Sequence, residues 1–264
     1  MRIVSWNVNS IRIRIDLLKK LINTKSPDVI CIQEVKAKEE DFPYHEIRQL
    51  GYEYIALYGM PGYNGVSILS KLPINNIKKH DWCNKTDARH ISATVKNIEI
   101  HNIYVPAGGD VPDIKTNPSF VHKLQFVDEL TTWFASYKNE YKDKNLLICG
   151  DFNIAMLEHD VWDHKKMLKI ISHTPIEIEK LMNLYNSIDF RDIIREKFPE
   201  PEKIYSWWSY RNPNWQTNNK GRRLDYIWVN PDFKPKIENI EILKEFRSFE
   251  RPSDHVPLLV ELEA

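Results

Sequence analysis

NLLICGDFN, residues 145–153, opens on an apolar run from Leu146 to Cys149 and breaks off into Asp151 and Asn153. Such a run, too short for a helix and apolar on both faces, reads as a buried strand with polar groups delivered at its tip. PDVICIQE, residues 27–34, repeats the pattern and ends on Glu34. IVSWNVN, residues 3–9, ends on Asn7 and Asn9. These short likenesses establish no internal duplication, but together they predict several strands that bring acids and amides to one edge.

Further strands are expected at YEYIA from Tyr52, GVSILS from Gly65, HISATV from His90, IEIHNIYV up to Val105, LDYIWV from Leu224 and VPLLVEL near the carboxyl end. Helical spacing of Ile11, Ile15, Leu18 and Ile22 predicts a helix over 11–22. Phe120, Leu124, Val127, Leu130 and Phe134 predict another over 119–141, with Ser119 as its N-cap, and a third is expected over 176–187. The irregular alternation favours an α/β fold of the α+β kind, mixed sheets covered by helices, over a parallel barrel. No composition break divides the chain, so residues 1–264 read as a single domain with functional loops at 106–118, 157–175 and 211–222.

With 42% hydrophobic residues over 264 positions, the chain can bury a large core, which excludes disordered, collagenous and disulfide-stapled classes. No apolar stretch is long enough to span a bilayer and no secretory signal opens the chain, so no membrane partner is expected. Three scattered cysteines without a C-x-x-C pair fit a reducing cytoplasm. The 37 basic and 37 acidic residues cancel, which weakens a nucleic-acid reading without excluding a local basic rim.

Singly, an acid at a strand tip is a solvated end or a helix cap. Asn7, Glu34, Asp151, Asn153, Asp225 and the Ser253-Asp254-His255 triplet together would line one mouth with oxygen ligands. Oxygen ligation selects a hard ion, magnesium or manganese, over zinc. Such an ion suits phosphodiester hydrolysis, and His255 with Asp225 could orient or deprotonate the attacking water.

YSWWSYRNPNWQTNNKGRR, residues 205–223, interleaves basic and aromatic residues as a nucleic-acid surface does, although at least one of Trp207, Trp208 and Trp215 is expected in the core. Arg89, Lys123, Arg211 and Arg251 are candidate DNA phosphate contacts, with Lys36 and Lys38 extending the rim. Glu158, His159, Asp160, Asp163 and His164 crowd LEHDVWDH in no zinc spacing and read as a solvated cluster or a loop over the DNA groove.

SWNVNSIR with Asn7, PDVICIQE with Glu34, NIYVPAG with Tyr104, CGDFN with Asp151 and Asn153, RRLDYIWV with Asp225 and RPSDHVPL with Asp254 and His255 follow in a specific order. Over essentially its whole length the chain resembles the exonuclease III type of abasic-site endonuclease, within the endonuclease, exonuclease and phosphatase superfamily. The resemblance implies a four-layered sandwich of two packed mixed β-sheets flanked by helices, with the active site where strand tips meet. It implies Glu34 as the principal magnesium ligand, helped by Asn7 and Asp254, with Asp151 and Asn153 as second-ion candidates and manganese as a substitute. Asp225 would pair with His255, Asp151 would transfer the proton, and Asn153 and Tyr104 would steady the phosphate. Trp207 would line the pocket for a flipped abasic sugar, which leaves the stack cheaply.

The implied activity is magnesium-dependent incision of double-stranded DNA 5′ to abasic sites, removal of blocked 3′ ends and 3′-to-5′ exonuclease action, by a monomer. Ser10 stands where many relatives have glycine, Ala107 where some carry asparagine or glutamine, and Arg222 where some have an aromatic pocket wall. The rival readings are a phosphodiesterase or phosphatase acting on lipid or inositol phosphates, and a non-catalytic DNA-binding module on the same fold.

Overall fold

The computed structural model describes residues 1–263. Twelve strands, numbered in chain order, form two six-stranded sheets. The first runs β11 (Ile237–Ile242), β12 (Leu258–Leu262), β1 (Arg2–Asn7), β2 (Val29–Gln33), β4 (Val66–Ser70), β3 (Tyr54–Tyr58). The second runs β5 (Ile74–Trp82), β6 (Lys85–Val95), β7 (Ile98–Tyr104), β8 (Asn145–Asp151), β10 (Asp225–Val229), β9 (Arg191–Asp192). Each sheet contains one parallel pair, β1 with β2 and β7 with β8, and is otherwise antiparallel. Two parallel strands end at the same side, so each pair carries two chain exits to one edge.

Ile3, Val29 and Ile68 of the first sheet meet Ile91, Ile100, Leu147 and Ile227 of the second in the inter-sheet core. Helix Ile15–Lys25 covers the first sheet, setting Leu18, Leu21 and Ile22 against Val4, Trp6, Ile30 and Ile32. Helices Pro118–Ser136 and Pro175–Ser187 cover the second, with Phe126, Leu130 and Leu181 on Leu146, Ile148 and Trp228. The result is the four-layered sandwich expected from the sequence. A polar seam crosses its centre: Gln33 Nε2 donates to Asn102 Oδ1 at 2.6 Å, and Asn102 Nδ2 donates to the Ile32 and Ser67 carbonyls at 2.9 Å. Buried amide bonds of this kind favour one register between sheets that apolar packing alone would let slide.

The helix expected over 11–22 begins at Ile15, because residues 11–14 form a turn beneath which Ile11 is buried. The helix expected over 119–141 ends at Ser136, and its N-cap is Asn117 instead of Ser119; Asn117 Oδ1 accepts from Ser119 N at 3.0 Å and Phe120 N at 3.3 Å. Pro118 at the first helical position needs no donor partner. Thr174 and Glu177 form a capping box before the helix near 176. β5, β9 and β11 were not anticipated. INNIKKHDW of β5 is an exposed edge strand whose polar run hides any alternation. Among the described residues no helix is long and apolar enough to cross a membrane.

Candidate active site

Strand register assembles the site. Tyr104 on β7 lies opposite Asp151 on β8, and Asp151 lies opposite Asp225 on β10. On the other sheet Asn7 sits beside Gln33, which delivers Glu34 one residue beyond the strand. Glu34 and Asn153 both turn away from their strands at φ 52, the left-handed region that non-glycine residues rarely occupy and that clusters at functional sites. Ser10, at φ 85, keeps a turn suited to glycine and donates its amide to Glu34 O at 2.8 Å. Gly150 lies at φ 139, and a Cβ there would stand 1.9 Å from Ile103 O. Only glycine lets β8 approach β7 this closely directly before Asp151.

Asn7 Nδ2 donates to Glu34 Oε1 and to Asp151 Oδ2, both at 2.9 Å, bridging the two sheets' carboxylates. Its own Oδ1 accepts from Asn9 N at 3.0 Å. Asn7, expected as a metal ligand, is thus a donor that holds the acids together in this arrangement. Tyr104 donates its hydroxyl to Glu34 Oε1 at 2.9 Å, while Lys36 Nζ pairs with Glu34 Oε2 at 2.6 Å and with Asn9 Oδ1 at 2.6 Å. Burial opposes ionisation of Glu34, but the Lys36 ammonium and the Asn7 amide outweigh it and hold the carboxyl below its ordinary range. Burial and the Glu34 charge push the Tyr104 phenol well up, so it remains a protonated donor at neutral pH.

His255 Nδ1 lies 2.8 Å from Asp225 Oδ2, and its Nε2 lies 3.4 Å from Asp151 Oδ2. Burial disfavours the imidazolium, yet Asp225 and Asp151 prevail and raise its pKa to about 10. For Asp151 burial dominates, with Asp225 and Glu34 adding to it against His255, and the carboxyl is raised to about 7. The 253–255 segment is pinned to β1 by Ser253 Oγ donating to Asn7 O at 2.7 Å and by Trp6 Nε1 donating to His255 O at 3.2 Å. Ser206, which sequence reasoning missed, accepts from Leu224 N at 3.0 Å and Asp225 N at 3.1 Å through its hydroxyl and so seats the Asp225 strand. Its only signal is its place beside Trp207.

Asp254 accepts from Asn9 Nδ2 at 3.1 Å and from Trp207 Nε1 at 3.0 Å. Glu34, Tyr104, Asn153, Trp207, Asp254 and His255 all border one cavity of about 480 Å³. Asn153 Nδ2 donates to Asp151 Oδ2 at 3.1 Å and to Val105 O at 2.9 Å. Hard oxygen donors from Glu34 and Asp254 on this cavity fit a metal ion, and buried Asp151, Asp225 and His255 also lie close enough to share one.

The expected DNA contacts divide. Arg211 is exposed on the cavity rim. Arg89 pairs with Asp87 at 2.6 Å and lies over the Tyr104 ring at 4.8 Å, close to the site. Arg251 lies in a separate groove with Ile13, Lys20 and Phe249. Lys123 is corrected: it is fully buried, pairs with Glu177 at 2.5 Å and donates to Asn153 O at 2.8 Å and Ala107 O at 3.2 Å. It ties loops beneath the cavity and has no surface for DNA. Ala107 borders the cavity, and Trp208 is the core tryptophan. In the LEHDVWDH segment Asp160 is buried against Arg195 and Arg223, His159 pairs with Glu200, and His164 bonds His173. That segment gathers no common ligand set.

Residues 4–255 match the Endonuclease/Exonuclease/phosphatase family. Exodeoxyribonuclease III of Haemophilus influenzae is 29% identical over 273 residues, covering 99% of this chain and 99% of that protein. An AP endonuclease from Archaeoglobus fulgidus superposes with a TM-score of 0.90 at 26% identity, each chain covered completely at 100%. The 3′ phosphatase NExo from Neisseria, solved with a product DNA hairpin, gives 0.89 at 29% identity with 100% of each chain covered.

Proposed function

The chain belongs to the endonuclease/exonuclease/phosphatase family, and from that premise we propose that it is a DNA-repair phosphodiesterase of the exodeoxyribonuclease III kind. Its reaction is incision of double-stranded DNA 5′ to abasic sites, removal of blocked 3′ ends and 3′-to-5′ exonucleolysis. The observation that carries this reading is that Glu34, Tyr104 and His255 border one cavity with Trp207, while buried Asp151 and Asp225 flank the His255 ring. We also propose that the chain works as one domain and as a monomer in the cytoplasm, with its cysteines Cys31, Cys83 and Cys149 free.

Magnesium, with manganese as a substitute, suits the oxygen set of Glu34 and Asp254 with Asn7 steadying it, and when bound it polarises a phosphoryl oxygen and stabilises the leaving oxygen. The remaining chemistry belongs to the side chains. Tyr104 offers a protonated hydroxyl to a non-bridging oxygen as negative charge builds there. Asp225 holds the His255 ring in place, and the imidazolium stabilises the anion gathering beside it. Asp151, raised to about 7, takes a proton from the attacking water or returns one to the departing 3′ oxygen. Asn153 orients Asp151 through its 3.1 Å bond. Trp207 and Leu224 exclude water from the group beyond the phosphate.

The test is cleavage of a labelled duplex bearing one tetrahydrofuran abasic analogue, with an undamaged duplex alongside, in magnesium and in EDTA. Magnesium-dependent incision directly 5′ of the analogue is expected. Folded, metal-binding protein that cleaves neither duplex would overturn the reading in favour of phosphorylated lipids and inositols or a non-catalytic module.

A further inference from the structure

The cavity has two chemically different ends. At one, Glu34, Asp254 and His255 converge; at the other, Arg222 stands among Ile170, Ile171 and Leu224. Arg222 is held there rigidly. Its backbone amide donates to Trp207 O and its carbonyl accepts from Trp207 N, each at 3.0 Å. Its guanidinium lies 4.8 Å from the Trp207 ring, and Nη1 donates to Ile171 O at 3.1 Å and to Ser172 Oγ at 2.8 Å.

None of these partners is an anion. Neighbouring Arg223 meets Asp192 at 2.6 Å and Asp160 at 3.7 Å, whereas among the described residues no carboxylate lies within ion-pair distance of Arg222. Among the described residues its Nη2 has no hydrogen-bond partner, and its Nε is buried without one. Burial lowers its pKa to about 10 against a weaker opposing pull from Glu177, which leaves it charged at neutral pH. With Nη1 taken and Nε closed off by burial, Nη2 is the donor left to meet an oxyanion, and it carries a charge that no carboxylate among the described residues pairs. Because the reacting phosphate belongs at the Asp254–His255 end, whatever hangs from it extends past Trp207 toward Arg222.

We propose that Arg222 makes the far end of the cavity a carboxylate-recognising subsite, so that the preferred substrate is a DNA 3′ end whose phosphodiester carries a short acid beyond the phosphorus, such as 3′-phosphoglycolate, over one carrying an uncharged sugar. This rests on the nuclease reading above. In the reaction the oxygen of water bonds to phosphorus and the bond from phosphorus to the DNA 3′ oxygen breaks. That oxygen takes a proton, leaving a 3′ hydroxyl and free 2-phosphoglycolate.

The experiment compares three magnesium-dependent cleavages: a duplex ending in 3′-phosphoglycolate, the same end as its neutral glycolamide, and a tetrahydrofuran duplex. The readout is the ratio of kcat/KM for glycolate over glycolamide, which cancels any general loss of activity in a variant. A ratio of about tenfold or more is expected for the wild type, the size of one charged hydrogen bond. It should fall to within about twofold in Arg222→Gln and stay intermediate in Arg222→Lys, which keeps the charge but not the reach and placement of Nη2. Free 2-phosphoglycolate should also inhibit tetrahydrofuran incision more tightly in the wild type than in Arg222→Gln. A wild-type ratio near one overturns the proposal without recourse to any variant, and so does a ratio that Arg222→Gln leaves unchanged. Failure to cleave any of the three duplexes would instead overturn the nuclease reading, and this proposal with it.

Discussion

The Tyr104 hydroxyl and Glu34 Oε1 are 2.9 Å apart and belong to different sheets, Tyr104 ending β7 and Glu34 following β2. The proposed phosphate donor and the proposed metal ligand are therefore set against each other by the packing of the sandwich. We predict that Tyr104→Phe lowers kcat roughly 100- to 1000-fold, the usual cost of one transition-state donor, while changing the Kd for duplex DNA by less than about threefold. Stopped-flow turnover and fluorescence anisotropy on a tetrahydrofuran duplex decide this; equal losses in both would make Tyr104 a binding residue.

Asp151→Asn preserves shape and the Asn7 contact but removes a carboxyl raised to about 7 beside His255. Its kcat should fall at least about 1000-fold, with DNA affinity held or improved because a buried negative charge is lost. A proportionate loss of affinity would refute its role in proton transfer.

The Asp225–His255 pair has a stability signature. A histidine raised from an ordinary value of about 6.5 to about 10 in the fold contributes stability that is complete below about pH 6.5 and lost as pH rises through about 10. Asp225→Asn should therefore lower the melting temperature most near pH 6.5, with the deficit shrinking toward pH 10. Scanning calorimetry in EDTA across that range gives the answer, and a deficit that grows with pH would contradict the assignment.

Gly150→Ala should be among the most damaging single-methyl changes in the chain, because the new Cβ would stand 1.9 Å from Ile103 O in backbone at φ 139. A loss of at least about 3 kcal/mol is expected from combined overpacking and backbone strain. Urea titration measures it, and a loss below about 1 kcal/mol would mean that β7 and β8 can part without cost.

Away from the site, Trp82 Nε1 lies 3.3 Å from His90 Nδ1, His90 Nε2 lies 2.8 Å from His101 Nδ1, and His101 Nε2 lies 3.1 Å from Glu99 Oε1. An indole can only donate, so the chain of bonds places the proton on Nε2 of both rings. Burial depresses the pKa of His90 and His101 and lowers stacked His80 to about 4. These histidines contribute stability that is whole above about pH 6.5 and drains away as pH falls toward their folded values. Ring ¹H–¹⁵N spectra should show His90 and His101 still neutral, with the proton on Nε2, at pH values where a free imidazole is already charged. Titration of either above pH 6 would refute the arrangement.

Much of the site could be read in the chain because an apolar run that stops at an acid is a local signal: Asp151 and Glu34 stand out wherever their strands lie. The pairing of Asp225 with His255 was anticipated from residue chemistry, and the packed sandwich from the motif order. Lys123 shows the opposite case. A lysine reads as surface until Glu177, 54 residues away, supplies a buried partner at 2.5 Å, and no local pattern encodes that meeting. Edge strand β5 was missed because exposure on both faces leaves no period to detect. The strand pattern brings Asn7 to the edge, but which end of its amide faces Glu34 and Asp151 depends on contacts from two sheets.

Strand β12 lies directly beside β1 at the heart of the first sheet, pairing Arg2 with Glu261 and Ser5 with Leu258. During synthesis the ribosome therefore emits Asn7 and Glu34 long before the neighbour that completes their sheet, and His255 leaves the exit tunnel only just ahead of that neighbour. A nascent chain stalled before this point holds most of the acids but not His255. If His255 acts in cleavage as proposed, the site is complete only once the last strand has joined the sheet.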